Sequence, residues 1–216
     1  MTAPEWLQPL LTNVRTSDRS VFTRLETPQS GRAAGVLVLF GEDPKTGPDL
    51  LVLQRSATMR THAGQVAFPG GAADPTDPDI AATALREAEE EVGLDAASVT
   101  VLAELPQLWI PVSDFLVTPV LAWWHKPHPV TATDPAEVAH VARLPLRDLA
   151  NPGHRLRVRH PSGYTGPAFQ VQGMLVWGFT AGVISALLDL GGWARPWDTS
   201  RVETLPSSQF ETPSVG

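Results

Sequence analysis

The chain contains no cysteine. Disulfides, thiolate zinc sites and cysteine nucleophiles are therefore excluded. Lysine is almost absent too, with Lys45 and Lys126 its two occurrences. Arginine supplies the other basic side chains; it grips phosphate bidentately, although GC-rich coding also favours it. Positive charge as a whole is short, since 16 Lys and Arg face 23 Asp and Glu for a net charge of -7. Non-specific binding to nucleic acid or to an anionic membrane usually needs a basic face, so neither partner is expected. A polyanionic small molecule would have to be met locally, by metal ions and a few arginines. Long apolar runs are scarce as well. Residues 171–188 carry no charge and reach the length at which a membrane helix becomes possible. That run holds Gln172, Gly173, Gly178, Thr180, Gly182 and Ser185, lacks basic flanks and stops at Asp189 and Gly191-Gly192, so a buried core helix is expected. The first residues lack a basic region followed by an apolar core, so no signal peptide and a cytoplasmic location are expected.

What is present describes a globular chain. Its 216 residues, 43% hydrophobic and 18% charged, suit one domain with a full core. Residues 5–16 read as a short helix with Pro9 in its first turn or kinking it. Residues 33–40 and 50–55 read as a hairpin pair around a turn at 41–49. A short strand at 65–68 stops at Pro69-Gly70-Gly71. Asp79 is placed to cap a helix that runs to Val92 and ends at Gly93. Strands are expected at 99–108, 116–124 and 138–144, a helical turn at 146–149, a hairpin from 155–160 and 169–171, and a last helix at 177–190. The domain spans 1–193, and residues 194–216, rich in Pro, Ser and Thr without a period, read as a disordered tail. The fold class is α/β (α+β), a mixed β-sheet with helices covering its faces.

The most informative stretch is Arg86-Glu87-Ala88-Glu89-Glu90-Glu91-Val92-Gly93-Leu94. On a helix, Glu87, Glu90 and Glu91 stand at i, i+3 and i+4 and so share one face. Like charges at that spacing destabilise a helix. They make sense around a hard divalent cation, which prefers carboxylate oxygens. Glu89 points away from the other three and reads as a solvated residue. A carboxylate helix following Phe68-Pro69-Gly70-Gly71 points towards phosphate chemistry.

Residues 71–94 resemble the Nudix box, G-x5-E-x7-R-E-U-x-E-E-x-G-U with U aliphatic. The second half fits, with Ala88 at the U position. In the first half the acidic position falls on Asp77, and eight residues rather than seven separate it from Arg86. The upstream residues Leu51-Val52-Leu53-Gln54-Arg55-Ser56, then Arg60, Gly64 and Phe68-Pro69-Gly70-Gly71, are similar to the added signature of the coenzyme A pyrophosphatase branch of Nudix hydrolases. Leu53 stands where that signature has Thr, and the longer box also looks like that branch. So do Pro111-Val112-Ser113, Val117-Thr118-Pro119-Val120 and Trp177-Gly178-Phe179-Thr180-Ala181.

The resemblance implies a Nudix fold and a Mg²⁺- or Mn²⁺-dependent pyrophosphohydrolase. Its small-molecule substrate would be coenzyme A or an acyl derivative, cut to 3′,5′-ADP and 4′-phosphopantetheine or its acyl form. Glu87, Glu90 and Glu91 are implied as metal ligands, with the Gly71 carbonyl as a further one. Arg86 can pair with a neighbouring carboxylate and fix its rotamer. Glu137, before the strand at 138–144, stands where a general base on a loop can occur. Arg55, Arg60 and His62 are candidates for substrate phosphate, with surface arginine an equal alternative for the first two. Two rivals remain open: another nucleoside diphosphate derivative such as ADP-ribose, or a Nudix-fold ligand sensor without turnover. The latter usually loses box carboxylates, and all three are present here. The protein is expected to be a monomer or homodimer.

Overall fold

The structure, a computed structural model, describes residues 2–23, 28, 30–59, 62–111, 113–161 and 163–205. A 3-10 turn at Glu5–Leu7 leads into α1, Gln8–Thr16, which accommodates Pro9 in its first turn. Then come β1 (Arg32–Asp43), β2 (Gly47–Arg55), β3 (Val66–Ala67), β4 (Gly70–Ala72) and α2 (Ile80–Val92). β5 (Val99–Glu104), β6 (Leu108–Ile110), β7 (Phe115–Trp124), β8 (Val138–Pro145) and α3 (Leu146–Leu149) follow. The chain continues through β9 (Arg155–Arg159), β10 (Thr165–Val171), β11 (Met174–Val176), α4 (Gly178–Leu190) and β12 (Val202–Thr204).

The strands form an eight-stranded sheet from β1 to β8 and a four-stranded sheet ordered β11-β10-β9-β12. In the larger sheet β1 runs parallel to β7 and the other pairs are antiparallel, so the sheet is mixed. Side chains alternate across it as a strand's period of two requires. Leu37, Leu39, Leu51, Leu53 and Trp124 face α2 with Ala84, Ala88 and Val92. Val38, Phe40, Leu50 and Val52 face the opposite way, onto Leu7 and Leu10 of α1, Ile184 and Leu187 of α4, and Phe169 of the smaller sheet.

One irregularity in this sheet positions the site. β1 and β2 pair where residues 40–43 meet 47–50, and then diverge. The gap is filled by a single segment: β3 pairs with β2 at Leu53 and Gln54, and β4 pairs with β1 at residues 34–36. Gly71 lies opposite Gly35. A Cβ on Gly35 would sit 2.7 Å from the Ile80 carbonyl oxygen, so a glycine is what lets α2 lie close on β1 here.

Several expectations need correction. The turn read at 41–49 is three residues long, because both strands extend into it and the Asp43 carboxylate accepts from the Lys45 and Thr46 amides. The strand read at 99–108 is two, interrupted around Pro106, and both pair with β7. The uncharged run at 171–188 is not one helix. Its start forms β11, which returns on β10 through a two-residue turn with φ of 53° at Gln172 and 77° at Gly173. Two positive φ values are the mark of the tight hairpin turn that matches strand twist. Among the described residues no helix is long and apolar enough to cross a membrane. The tail expected to be disordered from Ala194 is ordered as far as it is described. β12 runs parallel to β9, and Leu205 is buried against Leu156 and Val158.

Arg155 explains part of that order. It is 3% exposed, with its guanidinium 5.1 Å from the Phe169 ring centroid and 4.6 Å from that of Trp197. Its Nη2 donates to Ser185 Oγ at 2.7 Å, and burial pushes its pKa down. Trp197, in the supposed tail, thus covers a buried cation.

Candidate active site

The site is built on α2 and the glycine pair. Asp79 accepts from the Ala82 amide at 2.8 Å and starts the helix. Gly93, with φ of 67°, ends it in left-handed backbone, and the Leu94 amide closes back on the Ala88 carbonyl. Glu87, Glu90 and Glu91 therefore occupy the last turn and a half, over β4.

Arg86 organises this turn. Its Nε donates to Asp77 Oδ1 at 3.0 Å and its Nη2 to Asp77 Oδ2 at 3.1 Å, a bidentate pair. Nη2 also donates to the Ala72 carbonyl at 3.2 Å, while Nη1 donates to Glu87 Oε1 and Glu90 Oε2, both at 3.0 Å. All five guanidinium hydrogens are thereby used. Asp77 is held in turn by the Thr83 hydroxyl at 2.8 Å and the Asp74 amide at 2.9 Å. These donors, Arg86 foremost, keep the Asp77 carboxyl far below the usual carboxylate range.

Glu91 is held differently. Its Oε2 accepts from the Gly70 amide at 2.9 Å. Burial pushes its pKa up to about 7; the Gly70 amide opposes that, and the charge of Glu87 adds to it. Glu87 is also raised, by burial first, with the Arg86 bond opposing. Its carboxylate lies against Gly71, where a Cβ would overlap it. Among the described residues no group of three His, Cys, Asp or Glu is already gathered tightly enough to hold a metal ion. The donor chemistry nonetheless fits a hard cation, because Glu87, Glu90 and Glu91 bring carboxylate oxygens as their ligating atoms. The bare Cα of Gly71 leaves the space in which the Glu87 carboxylate lies.

The remaining candidates divide. Arg55 ends β2, and its charge pulls the Glu91 pKa down, while Glu137 pushes it up, so both lie within electrostatic reach of that carboxylate. They are neighbours in the fold, because the Ser56 amide donates to the Glu137 carbonyl at 2.8 Å. Arg55 Nε is buried without a hydrogen-bond partner among the described residues. His62 lies on an exposed turn with φ of 57°, its Nδ1 3.1 Å from Gln65 Oε1. Arg60 falls outside the described residues, as does Val112. Glu89 is exposed, as its angle on the helix predicts.

Asp77, Thr83 and Thr133 were not identified as site residues from the sequence. The box spacing pointed to Asp77 as the acidic position, and the structure gives it a partner. Thr133 leaves no local signal, since it bonds the carbonyl of Glu90, 43 residues away.

Comparison with known proteins is consistent with this geometry. A family model described as the NUDIX domain matches residues 29–162. The chain is 43% identical over 161 residues to a protein of Photorhabdus laumondii named as an uncharacterised Nudix hydrolase NudL, covering 73% of this chain and 84% of that one. A Cronobacter sakazakii protein of the same name is 42% identical over 159 residues, covering 72% and 81%. Among solved structures, the Nudix hydrolase RenU from M. smegmatis superposes with a TM-score of 0.50 at 19% identity, covering 77% of this chain and 89% of that one. A MutT/nudix family protein from Enterococcus faecalis gives 0.50 at 16% identity, covering 87% and 73%. These last two likenesses speak for the fold alone. With the matched domain, the relatives and the box on α2 in agreement, the chain belongs to the Nudix hydrolase family.

Proposed function

We propose that this chain is a metal-dependent diphosphatase of coenzyme A or acyl-coenzyme A, releasing 3′,5′-ADP and 4′-phosphopantetheine or its acyl form. Membership of the Nudix family supports the coarser part, hydrolysis of a nucleoside diphosphate derivative, and such hydrolases generally need divalent ions such as Mg²⁺ or Mn²⁺. The observation that carries the finer part is the segment from Leu51 to Gly71. It resembles the coenzyme A branch, and it folds as β2, β3 and β4 directly beside the carboxylate turn.

Glu87, Glu90 and Glu91, with the Gly71 carbonyl, would hold the ion. When bound, it neutralises the diphosphate and acidifies a bound water. The chain's own residues supply the rest. Arg55, whose buried Nε has no hydrogen-bond partner among the described residues, is proposed to bind a phosphate oxygen through its guanidinium. Arg60 and His62 are proposed to extend that contact. Arg86 fixes the rotamers of Glu87 and Glu90. Glu137 takes the proton of the attacking water as its oxygen bonds to phosphorus and the bridging P–O bond breaks.

The test is a turnover panel of coenzyme A, acyl-coenzyme A, ADP-ribose and NADH, each with Mg²⁺ and with Mn²⁺. Coenzyme A species are expected to lead in kcat/KM. If ADP-ribose or NADH exceeds every one of them, the substrate proposal fails. Full activity in Glu90→Gln and Glu91→Gln would refute the metal assignment. Tight Mg²⁺-dependent binding with no product would identify a sensor instead.

A further inference from the structure

The last three carbonyls of α2 have no partner within the helix, as at any helix end. Here they belong to Glu90, Glu91 and Val92, and one loop satisfies all of them. The Thr133 hydroxyl donates to the Glu90 carbonyl, the Thr133 amide to the Glu91 carbonyl at 3.1 Å, and the Thr131 amide to the Val92 carbonyl at 3.2 Å. Four residues after Thr133 in the same loop comes Glu137. The stretch between them is a closed turn. Asp134 Oδ1 accepts from the Ala136 amide at 2.8 Å, and the Asp134 carbonyl accepts from Glu137 and Val138 at 3.1 and 2.9 Å. On its far side the Glu137 carbonyl is tied to the Ser56 amide, next to Arg55. Glu137 itself is exposed and has no side-chain hydrogen bond among the described residues, so its backbone alone sets where its carboxylate can reach.

We propose that Thr133 is a positioning residue that fixes the Glu137 turn to the backbone of the carboxylate-bearing turn of α2. The inference rests on the reading of Glu137 as proton acceptor. An exposed acid on an untethered loop would sample many positions, and a displacement of about 1 Å can cost about 100-fold in rate. Bonding the loop to the carbonyls of Glu90 and Glu91 holds acid and carboxylates in one frame. A plain helix cap would contribute stability and leave turnover alone.

The experiment compares Thr133→Val, which removes the hydroxyl, with Thr133→Ser, which keeps it, each in the wild-type and the Glu137→Gln background. The readouts are kcat, KM and thermal midpoint. Thr133→Val is expected to lower kcat about tenfold with KM within about twofold, and Thr133→Ser to restore it. In the Glu137→Gln background the Val substitution is expected to change kcat no further. Full kcat in Thr133→Val, or the same fold loss in both backgrounds, overturns the tether. Full kcat in Glu137→Gln overturns the proton-acceptor reading instead, and the tether with it. Should Thr133→Val not fold, Asp134→Ala loosens the same turn by removing the bond from the Ala136 amide, and the same pattern is expected and decisive.

Discussion

Alanine at Gly71 and alanine at Gly35 are the same chemical change at two residues paired across β1 and β4, yet opposite outcomes are expected. Gly71 is not in left-handed backbone, so alanine is conformationally allowed there. Its Cβ would overlap the end of the Glu87 side chain, which can move. Stability should hardly change, because relief of about 0.4–1 kcal/mol of unfolded-chain entropy offsets the crowding. Activity should suffer, because the displaced carboxylate is a proposed metal ligand. A fall of about 100-fold in kcat/KM is expected, the scale for disturbing a metal site or misplacing a reacting group. At Gly35 the added Cβ would meet the Ile80 carbonyl oxygen at 2.7 Å and the Ala84 nitrogen at 3.2 Å. Helix backbone cannot rotate away as a side chain can. Overpacking of this kind costs about 1–3 kcal/mol, or several degrees in Tm for a domain of this size. Thermal melts and Mg²⁺-supported kinetics on both variants check this. If Gly71→Ala keeps wild-type kcat/KM, the Glu87 carboxylate does not act where it lies. If it melts as early as Gly35→Ala, the clash reaches the backbone and the reasoning fails.

Asp77→Ala removes the bidentate partner of Arg86, and kcat is expected to fall about 10–100-fold at saturating Mg²⁺; an unchanged kcat would dissociate Asp77 from the site. In chelator, the folded-state pKa of Glu91, about 7, lies above its ordinary 4.5, so the native state binds the proton more tightly. Wild type should therefore lose about 3 kcal/mol relative to Glu91→Gln as pH rises from below 4.5 to above 7, and a flat difference in urea melts would contradict this. Trp197→Ala uncovers the Arg155 cation and should cost about 1–2 kcal/mol in Tm experiments while kcat stays put; no loss would mean that the segment before β12 is not anchored there.

What could be read from the sequence was what local signals specify. α2 has a capping Asp79 and a left-handed Gly93 at its two ends, and both of those end residues could be read as its start and stop signals. The carboxylate face followed from helical spacing alone. β11 escaped because an uncharged run has no period to read, and the turn that breaks it is only Gln172-Gly173. β12 escaped because its reason for order is remote: a ladder to β9 and a tryptophan over a cation more than forty residues earlier. At the site, the glycines and carboxylates were legible as a motif, whereas Thr133 was not, since it recognises backbone, which every residue has. Glu137 and Arg55 could be named from position, but that they share one corner depends on the β2–β8 register, a tertiary fact.

The carboxylate turn also raises a question that the sequence posed and the structure answers: how like charges on one face are tolerated without an ion. Each such pair at i, i+3 or i+4 costs about 0.2–0.5 kcal/mol, a modest penalty. Arg86 offsets it at Glu87 and Glu90, and the Gly70 amide does so at Glu91. These restraints are not equal. The Asp77 side chain is 8% exposed and doubly bonded, whereas that of Glu90 is 58% exposed and singly bonded. A solvated i, i+4 pair such as Arg86–Glu90 contributes about 0–1 kcal/mol. A cation at the proposed site would therefore compete against little at Glu90 and against much more at Asp77. On the proposed metal assignment, the guanidinium would give up Glu90 while the shielded aspartate keeps it in place. An acid one residue further from Arg86 than the usual box allows is compatible with this division of labour, because the loop from Ala72 to Asp79 closes on itself through Asp74 and Thr83 and still delivers both Asp77 oxygens to the guanidinium.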